Sequence, residues 1–170
     1  MVTDRSRTAV EKGLDYLRDN WGEFPLKEKT SKVSKQDYER DLERFHEDTL
    51  GGAGAWIRCD GQALMVRHED ETAWSEPGGK QEPGEPLEKT AIRETREETG
   101  IECCINGVLT AHLITTQYGS CAPLIRLIVI FEAERSGGDI QAREGEIAEV
   151  RWFSDLPNDL LYPEIANYPL

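Results

Sequence analysis

The chain has 170 residues, of which 38% are hydrophobic and 31% charged, with 15 Gly and 8 Pro. That is enough for one globular domain with a sizeable core, and it excludes collagen-like, low-complexity and disulfide-scaffold classes. The 33 acids against 20 bases give a net charge of −13, so neither a nucleic-acid backbone nor an anionic membrane surface is expected as the main partner. The acid excess suits either a protein working in high salt, where screening weakens self-repulsion, or an ordinary acidic cytosolic protein.

In chain order, Val10, Leu14, Leu17 and Trp21 recur at helical spacing and predict an amphipathic helix over 6–21 with Ser6 as its cap. A Lys-rich connector follows around Phe24 to Lys32. A second helix is predicted from Ser34 to about Leu50, with Ser34 and Asp37 as a capping pair and Tyr38, Leu42 and Phe45 as its apolar stripe. Residues 1–50 therefore read as an N-terminal helical extension, whose stripes pack against the main body or against a second copy in a homodimer. The domain proper, 51–170, opens with β-like runs over Ala53–Cys59 and Ala63–His68, joined by Asp60-Gly61 as a hairpin turn.

Residues 76–86, rich in Pro and Gly, exclude a helix or central strand and predict an ordered loop. A helix should start at Pro86 and run to Thr99, with Gly100 as its stop. Further strands are expected over Ile105–Thr115, Leu124–Glu134 and Val150–Phe153, and a short helix within 155–167. Cys59, Cys103, Cys104 and Cys121 lack CxxC or metal-ligand spacing and read as reduced thiols. The N-terminus has no signal-peptide pattern, and no apolar run is long enough to span a bilayer. A cytoplasmic protein is the expectation.

The chemistry concentrates on the predicted helix 86–99. Glu94, Glu97 and Glu98 stand at i, i+3 and i+4, so their carboxylates share one face. Two carboxylates about 4 Å apart repel by roughly 4 kcal/mol at an effective dielectric near 20. Such a face must splay into solvent, share protons or bind cations. Hard divalent ions, Mg²⁺ above all, match oxygen ligands with no His or Cys nearby. Gly78 and Gly79 just before the helix let the backbone approach a metal or phosphate closely. Carboxylates holding Mg²⁺ beside a Gly-rich turn suit phosphate chemistry, where the metal neutralises phosphate oxygens and activates water.

The stretch from Gly79 to Ile101 resembles the signature of the Nudix hydrolase family. That signature is Gly, five residues, Glu, seven residues, then Arg-Glu-U-x-Glu-Glu-x-Gly-U with U a bulky apolar residue, and all seven fixed positions agree. Thr95 stands where an aliphatic residue is usual, and Glu76 where an apolar one is common. The resemblance covers about residues 52–156 and implies an α/β fold, an α/β/α sandwich around a mixed β-sheet. It further implies that Glu94, Glu97 and Glu98, with the Gly78 carbonyl, ligate Mg²⁺ or Mn²⁺. Arg93 would orient a carboxylate, Glu85 would support the loop, and Gly79 would lie against the substrate.

Among Glu144, Glu146 and Glu149, Glu146 is the favoured late-domain carboxylate, as ligand or general base. Tyr118 stands where some diadenosine-polyphosphate hydrolases of the family carry a Tyr, which makes it a substrate-binding candidate beside the ordinary reading of a loop aromatic. Trp74 reads as core, and His46, His68 and His112 as structural or exposed. The implied reaction is Mg²⁺-dependent hydrolysis of a diphosphate linkage in a nucleoside diphosphate derivative: ADP-ribose, a dinucleoside polyphosphate or a nucleoside triphosphate. The competing readings are a module that senses a nucleotide without cleaving it, and a merely solvated acidic face. The intact set of box glutamates favours the enzyme.

Overall fold

A computed structural model describes all 170 residues. Its elements are α1 (Val2–Trp21), β1 (Leu26–Lys32), α2 (Lys35–His46), β2 (Gly52–Cys59), β3 (Gln62–His68), β4 (Gly78–Lys80), α3 (Leu87–Thr99), β5 (Ile101–Gln117), β6 (Leu124–Gly138) and β7 (Ile147–Phe153), then a 3₁₀ turn at Pro163–Asn167. The strands form one mixed sheet in the order β1-β5-β6-β2-β3-β7, with β4 paired to β2. β1 runs parallel to β5, β6 parallel to β2, and the other pairs are antiparallel.

Alternation along β6 sets the layers. Ile125, Leu127, Val129 and Phe131 join Val10, Leu14 and Leu17 of α1 and Ala91 of α3 in the larger core. Ile130 faces the other way, with Trp56, Met65, Trp74 and Ile165 of the C-terminal turn. α2 closes the end of the sheet through Tyr38 and Phe45 on Leu50 and Leu124. The expected sandwich around a mixed sheet is thus present. Each fully buried apolar side chain stabilises it by roughly 1.5–3 kcal/mol, and α1 supplies three of them to the same core as the central strands.

Several local expectations change. Ser6 does not cap α1, which starts at Val2. It is buried inside the helix, where its hydroxyl donates to the Thr3 carbonyl (3.0 Å) and accepts the Ile125 N–H (3.1 Å), pinning α1 to the start of β6. The Lys-rich connector is the edge strand β1, held by main-chain bonding to β5 over Leu26–Lys32; exposed lysines on an edge discourage pairing with other chains. Ser34 caps α2 as expected, accepting the Asp37 N–H at 3.1 Å, but the helix ends at His46. Within the Pro/Gly-rich loop, Gly78–Lys80 pair with Gly52–Gly54 as a short strand, because glycines on both sides permit the approach. Residues 155–162 are not helical; two prolines leave only the 3₁₀ turn.

The hairpin turn is confirmed, with Asp60 and Gly61 at φ 51° and 74°, the left-handed pair such a two-residue turn requires. On β5 the adjacent Cys103 and Cys104 are buried and exposed respectively, and all four cysteines are free. Burial pushes the Cys103 thiol up to about 11. A thiol reagent at pH 8 is therefore expected to label Cys104 and Cys121 in the folded protein and Cys103 only after unfolding, as peptide masses will show.

Candidate active site

α3 carries the acids. Its entry residue Pro86 is extended, and Gly100 closes it at φ 74° with its N–H on the Arg96 carbonyl (2.9 Å). No side chain fits at Gly100, where a Cβ would lie 2.3 Å from the Asp139 carbonyl oxygen. The loop after β6 is tied to the same helix end. The Gln141 N–H donates to the Thr99 carbonyl (2.8 Å) and the Arg143 N–H to the Glu98 carbonyl (3.1 Å). This is how a late segment comes to stand beside a motif some fifty residues earlier.

Arg93 is the hub. Its Nε and Nη2 grip Glu85 at 2.8 and 3.0 Å, its Nη1 reaches Glu94 at 2.9 Å and Glu97 at 3.1 Å, and its Nη2 also donates to the Lys80 carbonyl at 2.9 Å. Glu85 in turn accepts the Thr90 hydroxyl at 2.6 Å. These bonds, that from Arg93 first, hold the Glu85 carboxyl down at about 2. One guanidinium therefore fixes the loop, the helix and two of its three acids.

Glu98 lies deeper, 1% exposed, and accepts the Gly78 N–H at 3.2 Å. Burial pushes its carboxyl up to about 8; Glu94 and Glu146 add to the rise, while the Gly78 N–H and Arg143 oppose it. Burial also raises Glu94, against the pull of Arg93. Glu146 faces this group through Arg143, whose Nε stands 3.2 Å from Glu146 and whose Nη1 stands 3.5 Å from Glu97. Glu144 is exposed on the loop, and Glu149 is engaged by Arg67 and Arg151.

The donor set suits a hard divalent cation: the buried carboxylates of Glu94 and Glu98 and the exposed one of Glu97, beside a glycine backbone and with no His or Cys among them. The side chains do not yet converge, since no three acids are grouped closely enough to hold one ion and Arg93 occupies oxygens of Glu94 and Glu97. Gly79 leaves the room required. A Cβ there would lie 2.4 Å from the Glu94 carboxylate carbon. Gly79→Ala is expected to displace Glu94, destabilise the fold by about 1–3 kcal/mol as an overpacked site does, and weaken Mg²⁺ binding, both readable by urea unfolding and calorimetry.

Beside Gly78 and Gly79 a cleft of about 420 Å³ opens on the opposite face of the sheet from α1, within the range of small-molecule sites. Its floor is Ile114, Ile128 and Ile130, and Gly52 and Gly54 form part of a wall. His68 and His112 line it, although their separate positions in sequence gave no sign of a shared site. Glu76 is there too, and burial pushes its carboxyl up to about 7. Tyr118 does not line the cleft; its ring packs 6.0 Å from that of Tyr38 in the α2 cluster. Trp74 is core, edge-on to Phe153 at 4.8 Å. Sequence reasoning missed Arg143, which has no partner signal except its spacing from Glu146, and it missed Lys29, Ser31 and Arg44, by which the first fifty residues reach the cleft.

The NUDIX domain pattern matches residues 49–165. A Bacillus subtilis (strain 168) protein named as a candidate 8-oxo-dGTP diphosphatase is 34% identical over 93 residues, 55% of this chain and 58% of that protein. The NAD-capped RNA hydrolase NudC of Pseudomonas putida (strain GB-1) is 37% identical over 98 residues, 56% of this chain and 33% of that one. Among solved structures, the MutT NUDIX hydrolase from Burkholderia pseudomallei superposes with a TM-score of 0.53 at 27% identity, covering 68% of this chain and 93% of that one. The chain thus spans only a third to three-fifths of the two curated relatives' lengths. With the pattern matched over most of its length and the fold shared, the chain belongs to the Nudix family.

Proposed function

We propose that this protein is a divalent-metal-dependent pyrophosphohydrolase that cleaves a diphosphate linkage in a nucleoside diphosphate derivative by attack of water at phosphorus. The observation that carries the reading is that Glu98 and Glu94 stand against Gly78 and Gly79, with Glu97 tied to Glu94 by Arg93, and that the same two glycines line the cleft of about 420 Å³. The relatives named for diphosphatase and hydrolase activity point the same way.

Glu94, Glu97 and Glu98, with the Gly78 carbonyl, would hold Mg²⁺ or Mn²⁺, which would supply neutralisation of the phosphate oxygens and a more acidic water. The chain's own residues do the rest. Arg93 bonds one oxygen each of Glu94 and Glu97, which holds the two carboxylates side by side and leaves the second oxygen of each to a cation. Glu98, buried and with a raised pKa, would have to be ionised to hold the cation, so metal affinity should rise with pH. Glu146, tethered by Arg143, would take the proton of the attacking water. The Gly79 backbone offers a close approach to the substrate's phosphates. Four free thiols suit work in a reducing compartment, and no helix is long and apolar enough to cross a membrane.

The test is phosphate release, after phosphatase coupling, from a panel of ADP-ribose, dinucleoside polyphosphates and nucleoside triphosphates, with and without Mg²⁺, at low and molar salt. Metal-dependent cleavage of one class supports the reading and names the substrate. Tight binding without turnover under every condition would instead make the protein a nucleotide sensor.

A further inference from the structure

The end of the cleft remote from Gly78 is basic, against the charge of the whole molecule. Arg126 on β6 pairs with Ile114 of β5, and Ile114 pairs with Lys29 of β1, so Arg126 and Lys29 lie in one row across the sheet. Arg44 reaches the same place from α2, anchored by donation to the Thr49 and Gly51 carbonyls. All three line the cleft. None of them forms an ion pair, although eight other arginine and lysine residues in the chain do. The Arg126 Nε is buried with no hydrogen-bond partner at all. Arg44 is drawn down mainly by burial; Asp41 on its own helix opposes that fall, and Arg126 beside it adds to it.

Two guanidiniums beside each other with no carboxylate in ion-pair contact, one carrying an orphaned buried donor, are an arrangement that an anion completes. We propose that Arg126 and Arg44, with Lys29, form a second anion subsite, which takes a phosphomonoester separated from the cleaved diphosphate by a sugar or nucleoside. The separation follows from the register. Gly78 pairs with Gly54 and Gly54 with Ile130, while Arg126 lies two rows further along β6. Two rows are about 13 Å of strand, more than a diphosphate alone spans. Between them the floor is Ile128 and Ile130, apolar enough to lie under a base or sugar. Arg44 and Lys29 fall outside the 49–165 family match, so this subsite is built largely by the segment that precedes the shared domain. The position of the cleaved linkage rests on the reading in the preceding section; the subsite itself rests on the side chains.

The experiment is calorimetric binding of nucleoside 5′-monophosphates and of the matching 3′,5′- and 2′,5′-bisphosphates of adenosine, guanosine, cytidine and uridine, without metal. For at least one nucleoside a bisphosphate should bind about tenfold or more tighter than the monophosphate, the size of a charge-assisted contact. Arg126→Gln should reduce that ratio to near one. Lys29→Gln, on the exposed edge strand, should lower it in part and cannot disturb the core. Equal binding of the two series in the parent, or a ratio unchanged in Arg126→Gln that is shown folded by circular dichroism, overturns the subsite. A bisphosphate preference in a protein that hydrolyses nothing in the panel supports the subsite and overturns the enzymatic reading, so the two fail separately.

Discussion

Glu98→Gln is expected to lower metal-dependent turnover by about 10²–10³-fold while leaving the protein folded. Gln keeps an acceptor for the Gly78 N–H and nearly the same volume, but it cannot carry the charge a divalent cation requires. The same variant should change the pH dependence of stability in metal-free buffer. Glu98 is an acid whose folded pKa, about 8, lies above its ordinary value. Its neutral form is favoured by the fold, so the associated stability is fully present below about pH 4.5 and is lost as pH rises through about 8. The metal-free parent should therefore lose thermal stability between pH 5 and 8.5 more steeply than Glu98→Gln. Mg²⁺ should restore it in the parent and not in the variant. A parent-like rate in Glu98→Gln would remove Glu98 from the metal site.

Arg93→Ala should be the most destabilising single change in the site. It strands Glu85 and Glu94, whose side chains are only 13% and 12% exposed, together with the Lys80 carbonyl. Removing one partner from a largely buried ion pair costs about 3–5 kcal/mol, which urea unfolding will register as a lower midpoint. The pH signature has the opposite sense to that of Glu98. Glu85 sits near 2, below its ordinary value, so its contribution is present above about pH 4.5 and is lost as pH falls through 2. That acid-side loss should be absent from Arg93→Ala. Arg93→Lys should recover only part of the stability, because an ammonium cannot reproduce the two-pronged grip on Glu85.

The parts legible in sequence were those written in local chemistry. The helix from Pro86 to Gly100, the Asp60-Gly61 turn and the Ser34 cap follow from residue types at fixed offsets, and the structure has all three. Of the acids at i, i+3 and i+4, Arg93 joins Glu94 to Glu97, while Glu98 turns inward to the Gly78 N–H. What escaped was set by partners distant in the chain. β1 is polar at nearly every position and becomes a strand only because the β5 edge accepts it. Gly78–Lys80 has too few side chains to signal a strand, yet it pairs with another glycine-rich segment. Ser6 looked like a cap because nothing local shows that Ile125 needs its hydroxyl. The cleft follows the same rule: Arg44, Arg126 and His112 meet across three elements, and no spacing within any one of them announces it. Tyr118 shows the converse. A position suggestive by its distance from the motif packs on Tyr38 instead.

The central claim is that the α3 acids bind a divalent cation in order to hydrolyse a diphosphate. It is tested most directly by titrating Mg²⁺ into the parent and Glu97→Gln while following turnover of the preferred substrate. Saturable activation of the parent, with the half-saturation point displaced upward or activation abolished in the variant, is the predicted result. Turnover in the parent that is indifferent to Mg²⁺, or identical activation curves for the two proteins, would contradict it.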